Sequence, residues 1–221
     1  MSEIPRLMSL MTGDEKHSSA ATSTLDVIRV LYERVLDVSP ETIGDQGRDR
    51  FYLSKGHGPM AYYAVLADRG FFPESWLAEW GTFESPLGFH PDRNLVPGVE
   101  ISSGSLGHGL PLAVGTALGL RAQGIGSRVV VLVGDAELDE GSNHEALELA
   151  AALSLDALTV VVVDNRSSSY AVPGRIADRF AAEGWHTVSV DGRDHDALEK
   201  ALSHRPVGQP NVVVAHVEEK S

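Results

Sequence analysis

Two uninterrupted apolar runs organise the chain. Val129-Val130-Val131-Leu132-Val133 ends in Gly134-Asp135-Ala136, and Val161-Val162-Val163 ends in Asp164-Asn165, with Asn165 thirty positions after Asp135. Strands buried on both faces read as continuous apolar runs rather than as alternation. A helix-like segment over 142–155, opened by the capping-box pattern Ser142-x-x-Glu145, separates the two runs. Together they predict a parallel βαβ unit. Further strands are predicted over 50–53, 99–102, 158–163, 187–190 and 212–217. Helices are predicted over 25–36 behind a Ser23-x-x-Asp26 cap, over 60–69 closed by Gly70, over 73–80, over 110–122, over 175–182 and over 195–202. Helix 110–122 is built from Ala, Gly and Leu with no charge before Arg121, so it is expected to be buried all round, in a deep core or against another subunit. Strands alternating with helices give the α/β class: a doubly wound parallel sheet flanked by helices, in one domain spanning 1–221.

Composition narrows the function classes. The chain has 221 residues, 43% of them hydrophobic, which suffices for a core. Its formal charge of −13 argues against nucleic acid and anionic membrane as partners. With no cysteine there is no disulfide, thiolate metal site or cysteine nucleophile. No stretch approaches the roughly 20 apolar residues of a membrane span. The start, Met1-Ser2-Glu3-Ile4-Pro5, lacks a basic-then-apolar signal, so the expected location is cytoplasmic.

In open α/β sheets, ligands sit beyond the carboxyl ends of the strands. A carboxylate (Asp135) and an amide oxygen (Asn165) there suit a small hard cation, typically Mg²⁺ on a diphosphate, with a turn carbonyl such as that of Ser167 as a third protein ligand. Read singly, Gly134-Asp135 is an ordinary turn; with the second strand ending in Asp164-Asn165 the two readings are evenly weighted. Three histidines lie on loops beside Gly, Pro or small residues: His17, His57 and His90, with Gly104 in the turn Ser103-Gly104-Ser105-Leu106-Gly107-His108-Gly109. Histidine suits proton transfer near neutral pH and can donate to phosphate. By spacing alone Glu140 is a favourable charge at a helix start.

Taken in order, these motifs resemble the thiamine diphosphate-binding part of transketolases. Asp49-Arg50-Phe51-Tyr52-Leu53-Ser54-Lys55-Gly56-His57, Gly88-Phe89-His90-Pro91, the run from Leu95-Val96-Pro97-Gly98-Val99-Glu100 to Gly109, and Gly134-Asp135-Ala136 through Glu140-Gly141 to Asp164-Asn165 match family segments over about 14–217. The resemblance implies the thiamine diphosphate-binding fold and transfer of a two-carbon ketol unit from a ketose or ketose phosphate. It implies Asp135, Asn165 and the Ser167 carbonyl as ligands of Mg²⁺ (or Ca²⁺). His57, Gly134 and the Ala136 backbone would lie at the diphosphate, and Gly104 and Leu106 against the rest of the cofactor. His17, His57 and His90 would be catalytic, and Glu140 would sit at a subunit interface. Single-chain transketolases continue into a pyrimidine-binding domain and a C-terminal domain. The resemblance is therefore to the N-terminal subunit of a split transketolase, completed by a separate pyrimidine-binding subunit, in an α2β2 assembly. The family's usual Gly-Asp-Gly is Gly134-Asp135-Ala136 here, apolar residues are replaced by Ser167-Ser168-Ser169, and a glycine-lysine-rich loop expected after the last strand is not reached by Ser221. Two other readings stand beside it: half of a 2-oxo acid dehydrogenase-like acyl or glycolyl transfer system, and a catalytically degenerate scaffolding subunit.

Overall fold

The computed structural model describes residues 3–11, 22–169, 172 and 174–219. Five parallel strands, β1 (Arg50–Leu53), β2 (Val129–Gly134), β3 (Leu158–Asp164), β4 (His186–Asp191) and β5 (Asn211–His216), form one sheet in the order β1-β2-β3-β5-β4. The helices are α1 (Ile4–Leu10), α2 (Leu25–Val30), α3 (Met60–Asp68), α4 (Gly109–Ala122), α5 (Gly141–Ala152), α6 (Ile176–Ala182) and α7 (His195–Ser203). β1, β2 and β3 advance across the sheet in sequence, and β4 skips one place to the edge. β5 then steps back into the gap. Right-handed crossovers place helices of opposite step direction on opposite faces. Accordingly α4, α5 and α6 cover one face and α7 the other, with α1, α2 and α3.

Both faces being covered explains the continuous apolar runs. Val129, Val131 and Val133 face α4 and α5, while Val130 and Leu132 face the opposite cluster with Phe51, Tyr62 and Leu198. Of the two edge strands β1 is buried and β4 is half-exposed, and Thr187 and Ser189 of β4 interrupt the apolar pattern accordingly. The predicted doubly wound α/β sheet is thus the observed one, with strand ends shifted by one residue. No helix among the described residues is long and apolar enough to cross a membrane.

Several local expectations are corrected. Segment 99–102 forms no strand: Glu100 pairs with Arg48 at 2.7 Å and the Ser102 hydroxyl donates to Asp92, so side chains hold it in place of a ladder. Neither predicted capping serine caps its helix. The Ser23 hydroxyl accepts from Lys55 Nζ, and Ser142 Oγ donates to the Gly107 carbonyl. Tertiary donors and acceptors outcompete the local cap in both places. The 25–36 helix widens into a π turn over Leu31–Val35, and 73–80 is a 3-10 turn over Glu74–Glu79. Helix α4 is not buried all round. Leu110, Ala113, Val114, Ala117 and Leu120 face the sheet, but Leu112 is 51% exposed and Gly115 and Gly119 have open space above them. Its charge-free pattern marks an apolar face left uncovered in the isolated chain.

Candidate cofactor and metal site

β1, β2 and β3 are neighbours, so their carboxyl ends deliver Ser54, Asp135 and Asn165 to one region. Asp135 is 2% exposed and Asn165 3%. Beyond β3 the chain turns sharply through Arg166, whose φ is +56°. That left-handed turn is uncommon for a residue other than glycine, and it brings the next two residues back over β2. The Asp135 carboxylate accepts from Ser167 N–H at 2.6 Å, Ser167 Oγ at 2.6 Å and Ser168 N–H at 3.0 Å, while Ser168 Oγ donates to Asp139 at 2.8 Å. Asp135 has no basic side-chain partner, and the Asn165 side chain makes no hydrogen bond, among the described residues. The Asn165 amide atoms are not sealed from solvent, so the amide oxygen is open to a group from outside the chain.

These donors fit a small oxygen-preferring cation. A carboxylate has about four lone-pair positions, of which three are taken, and the Asn165 amide oxygen is open. The cavity beside them, lined by Asp135, Asp164, Arg166 and Ser168, measures about 70 Å³, room for an ion and a water or two but not for an organic cofactor. The Ser167 carbonyl is placed less favourably. The Ser167–Ser168 peptide is trans and its N–H faces Asp135, so its C=O points away from that carboxylate. A ligand role for this carbonyl requires the peptide to turn over. Ala136 opens a 3-10 turn over Ala136–Asp139 without a positive φ, so alanine in place of the usual glycine stores no backbone strain.

A second cluster forms where the loops after β1 and before α4 meet. The rings of His57 and His90 lie 6.2 Å apart, and the His90 ring packs against Gly104, where an added Cβ would sit 3.2 Å from it. Both histidines are exposed, as is Leu106. The sequence reading therefore identified three residues, His57, His90 and Gly104, that the fold brings together. His17 lies outside the described residues. Glu140 is exposed at the N-cap of α5, its side chain free of the cap.

The sequence reading missed Glu137. It is 1% exposed, the most buried carboxylate of the region. Oε1 accepts from Gly107 N–H at 3.0 Å and from Ser54 Oγ, and Oε2 accepts from Gly134 N–H at 3.4 Å. Burial pushes its pKa up, and the three donors and nearby Lys55 oppose that shift. In sequence it is one acid among Asp135, Glu137, Asp139 and Glu140. Only the 3-10 turn, which sends 137 inward, singles it out. A larger cavity, about 560 Å³, lies elsewhere among the described residues, between Asp139, His144, Arg175 and Arg179. Lacking the unpartnered oxygen donors of the strand ends, it is the weaker candidate despite its size.

A family model described as "Transketolase, thiamine diphosphate binding domain" matches residues 8–215. The chain is 53% identical over 220 residues to "Ferredoxin fas2" of Rhodococcoides fascians, covering 99% of this chain and 72% of that protein. It is 36% identical over 207 residues to a subunit of the apulose-4-phosphate transketolase of Actinobacillus succinogenes, covering 90% and 75%. Among solved structures, transketolase from Leishmania mexicana superposes with a TM-score of 0.77 at 28% identity, covering 93% of this chain but only 37% of that one. The chain thus spans about three-quarters of the first two relatives and little over a third of the solved enzyme. The ferredoxin in the first name does not describe these residues: iron–sulfur clusters are held by cysteine thiolates, and this sequence has none.

Proposed function

We propose that this chain, which belongs to the transketolase thiamine diphosphate-binding family, is the diphosphate-binding half of a two-chain enzyme that transfers a two-carbon ketol unit from a ketose phosphate. The observation that carries this reading is the convergence at the ends of adjacent strands of buried Asp135 and of Asn165, whose side chain has no hydrogen-bond partner among the described residues. These two hold Mg²⁺ or Ca²⁺ through oxygen, and the Ser167 carbonyl joins them once the 167–168 peptide turns. The Ala136 backbone N–H and the His57 ring bind the diphosphate, with Gly134 beside it and Gly104 and Leu106 against the remainder of the cofactor. When bound, thiamine diphosphate would supply a carbon nucleophile for the ketose carbonyl and a sink for the electron pair released on C–C cleavage. The chain's own part is to anchor the charge, fix the orientation and handle protons. His90, with His57 beside it, and His17 exchange the proton of the substrate hydroxyl at an imidazole nitrogen.

The pyrimidine-binding half comes from a separate subunit, with two copies of each chain completing two sites. The Actinobacillus relative is itself named as one subunit of a transketolase, and this chain spans most of its length, which supports that division. The ketose phosphate class follows from the same relative's printed substrate. The uncovered face of α4, Leu112 with Gly115 and Gly119, together with Leu149 of α5, supplies an apolar surface for the partner, and Glu140 lies at its border. The site and its charge suit cytoplasmic metabolism. The pure chain with thiamine diphosphate and Mg²⁺ is expected to turn over no ketose phosphate, and the reconstituted pair to transfer ketol units to an aldose acceptor in a coupled assay. Full transfer by the pure chain would refute the two-chain reading. Leu112→Glu is expected to weaken association at least ~30-fold, the effect of losing one well-buried interface anchor of about 2 kcal/mol. Sedimentation measures the association, and the melting temperature of the isolated chain should be unchanged.

A further inference from the structure

We infer that Glu137 is a positioning residue that braces the three segments forming the cofactor site, and so sets cofactor affinity without touching cofactor, metal or substrate. The inference rests on the cofactor reading above and deepens it. One carboxylate collects donors from three places in the fold: Ser54 at the exit of β1, Gly107 in the glycine-rich turn and Gly134 at the end of β2. Those segments carry His57, Gly104 with Leu106, and Asp135 respectively. The brace extends one bond further, because Ser54 Oγ also accepts from Gly109 N–H at 3.0 Å, fixing the first residue of α4. Glu137 is itself held from behind: its carbonyl accepts from Asn143 Nδ2 at 2.7 Å, and Ser142 Oγ donates to the Gly107 carbonyl at 2.7 Å. Gly107, with φ +82°, has no room for a Cβ, which would lie 2.6 Å from Ser142 Oγ.

The residue type follows from the donor count. All three partners donate, and an ionised carboxylate only accepts. Glutamine at 137 would turn an amide donor toward one of them, and aspartate falls one methylene short. Leucine would leave three buried donors unmet. Loosening the brace frees the His57 loop and the 103–109 turn while leaving their side chains intact. Binding should therefore suffer more than chemistry.

Glu137→Gln in the reconstituted pair tests this by titration calorimetry with thiamine diphosphate and Mg²⁺, alongside hydrogen–deuterium exchange. The expected result is a 10–100-fold loss of affinity, the usual scale for residues that orient ligands from behind. Exchange should rise at least ~10-fold for peptides covering 103–109 and stay unchanged in β3. In the reconstituted pair KM for the cofactor should rise while kcat at saturating cofactor moves less than about threefold, a split that general destabilisation would not produce. A folded variant with wild-type affinity and wild-type exchange overturns the inference. Should the variant fail to fold, Ser54→Ala removes one arm together with the Gly109 bond that hangs on it and is expected to cost 3–10-fold in affinity; wild-type affinity there overturns it equally. Absence of binding by the wild-type pair would refute the cofactor reading instead. The exchange data would then decide the brace alone: raised exchange supports it and unchanged exchange removes it.

Discussion

Asp135→Asn is expected to abolish ketol transfer and to lower metal-dependent thiamine diphosphate binding at least ~100-fold, while leaving the fold in place. Residues behind metal ligands already cost 10–100-fold when changed, and Asp135 is the carboxylate that follows β2, next to the β3 end that carries Asn165. Asparagine keeps the volume and one acceptor oxygen for Ser167 and Ser168, so the apo chain loses at most a bond or two of the Arg166–Ser168 turn. It also removes a buried charge that has no cationic partner, which offsets part of that loss. The effect should therefore lie in the ligand-bound state. A ligand at 100 times its dissociation constant stabilises the native state by about 2.7 kcal/mol, a rise of about 5–11 °C in Tm for a chain of this size. Wild-type melts should show that rise with thiamine diphosphate and Mg²⁺ and lose it with EDTA; Asp135→Asn should show no rise at all. An equal rise in the variant would remove Asp135 from the metal site.

The parts of this architecture legible in the sequence are those where one physical requirement dominates. β2 and β3 lie in the sheet interior with both faces covered, so valine and leucine fill most of their positions and the strands stand out. Their polar termini, Asp135 and Asn165, stand out because they end apolar runs, and the parallel topology brings them together. His57, His90 and Gly104 were legible as loop residues, though their meeting depends on the approach of two loops separated by more than thirty residues. What was not legible depends on partners that no local window contains. Ser23 and Ser142 carry capping-box patterns, yet each hydroxyl is recruited by a distant group, Lys55 and Gly107. Glu137 looks like its acidic neighbours until the 3-10 turn points it into the protein. Segment 99–102 has the composition of a strand, but an ion pair to Arg48 and a hydroxyl bond to Asp92 anchor it outside the sheet.

Helix α4 carries the largest expected structural effect, and it separates two glycines that the sequence treats alike. Gly109→Ala is expected to destabilise the chain by about 1–3 kcal/mol, the usual cost of overpacking. An added Cβ would sit 2.8 Å from the Ser54 Cα and closer still to its side chain. Ser54 cannot yield easily: its N–H bonds to the Leu132 carbonyl at 2.9 Å, and its hydroxyl is committed to Gly109 and Glu137. Alanine's better helix propensity recovers at most about 1 kcal/mol, so the clash decides the sign. The displaced Ser54 would carry His57 with it, and cofactor affinity should fall together with Tm. Gly115→Ala, six residues along the same helix, meets nothing within 4 Å. In the isolated chain it should be neutral or stabilising by up to about 1 kcal/mol. In the two-chain complex it should weaken association, because the added methyl fills the close approach that the uncovered face offers a partner. Thermal melts of both variants, alone and with the pyrimidine-binding subunit, read all four outcomes. A destabilised Gly115→Ala chain, or an unaffected Gly109→Ala chain, would contradict the packing on which the Ser54–Glu137 brace depends.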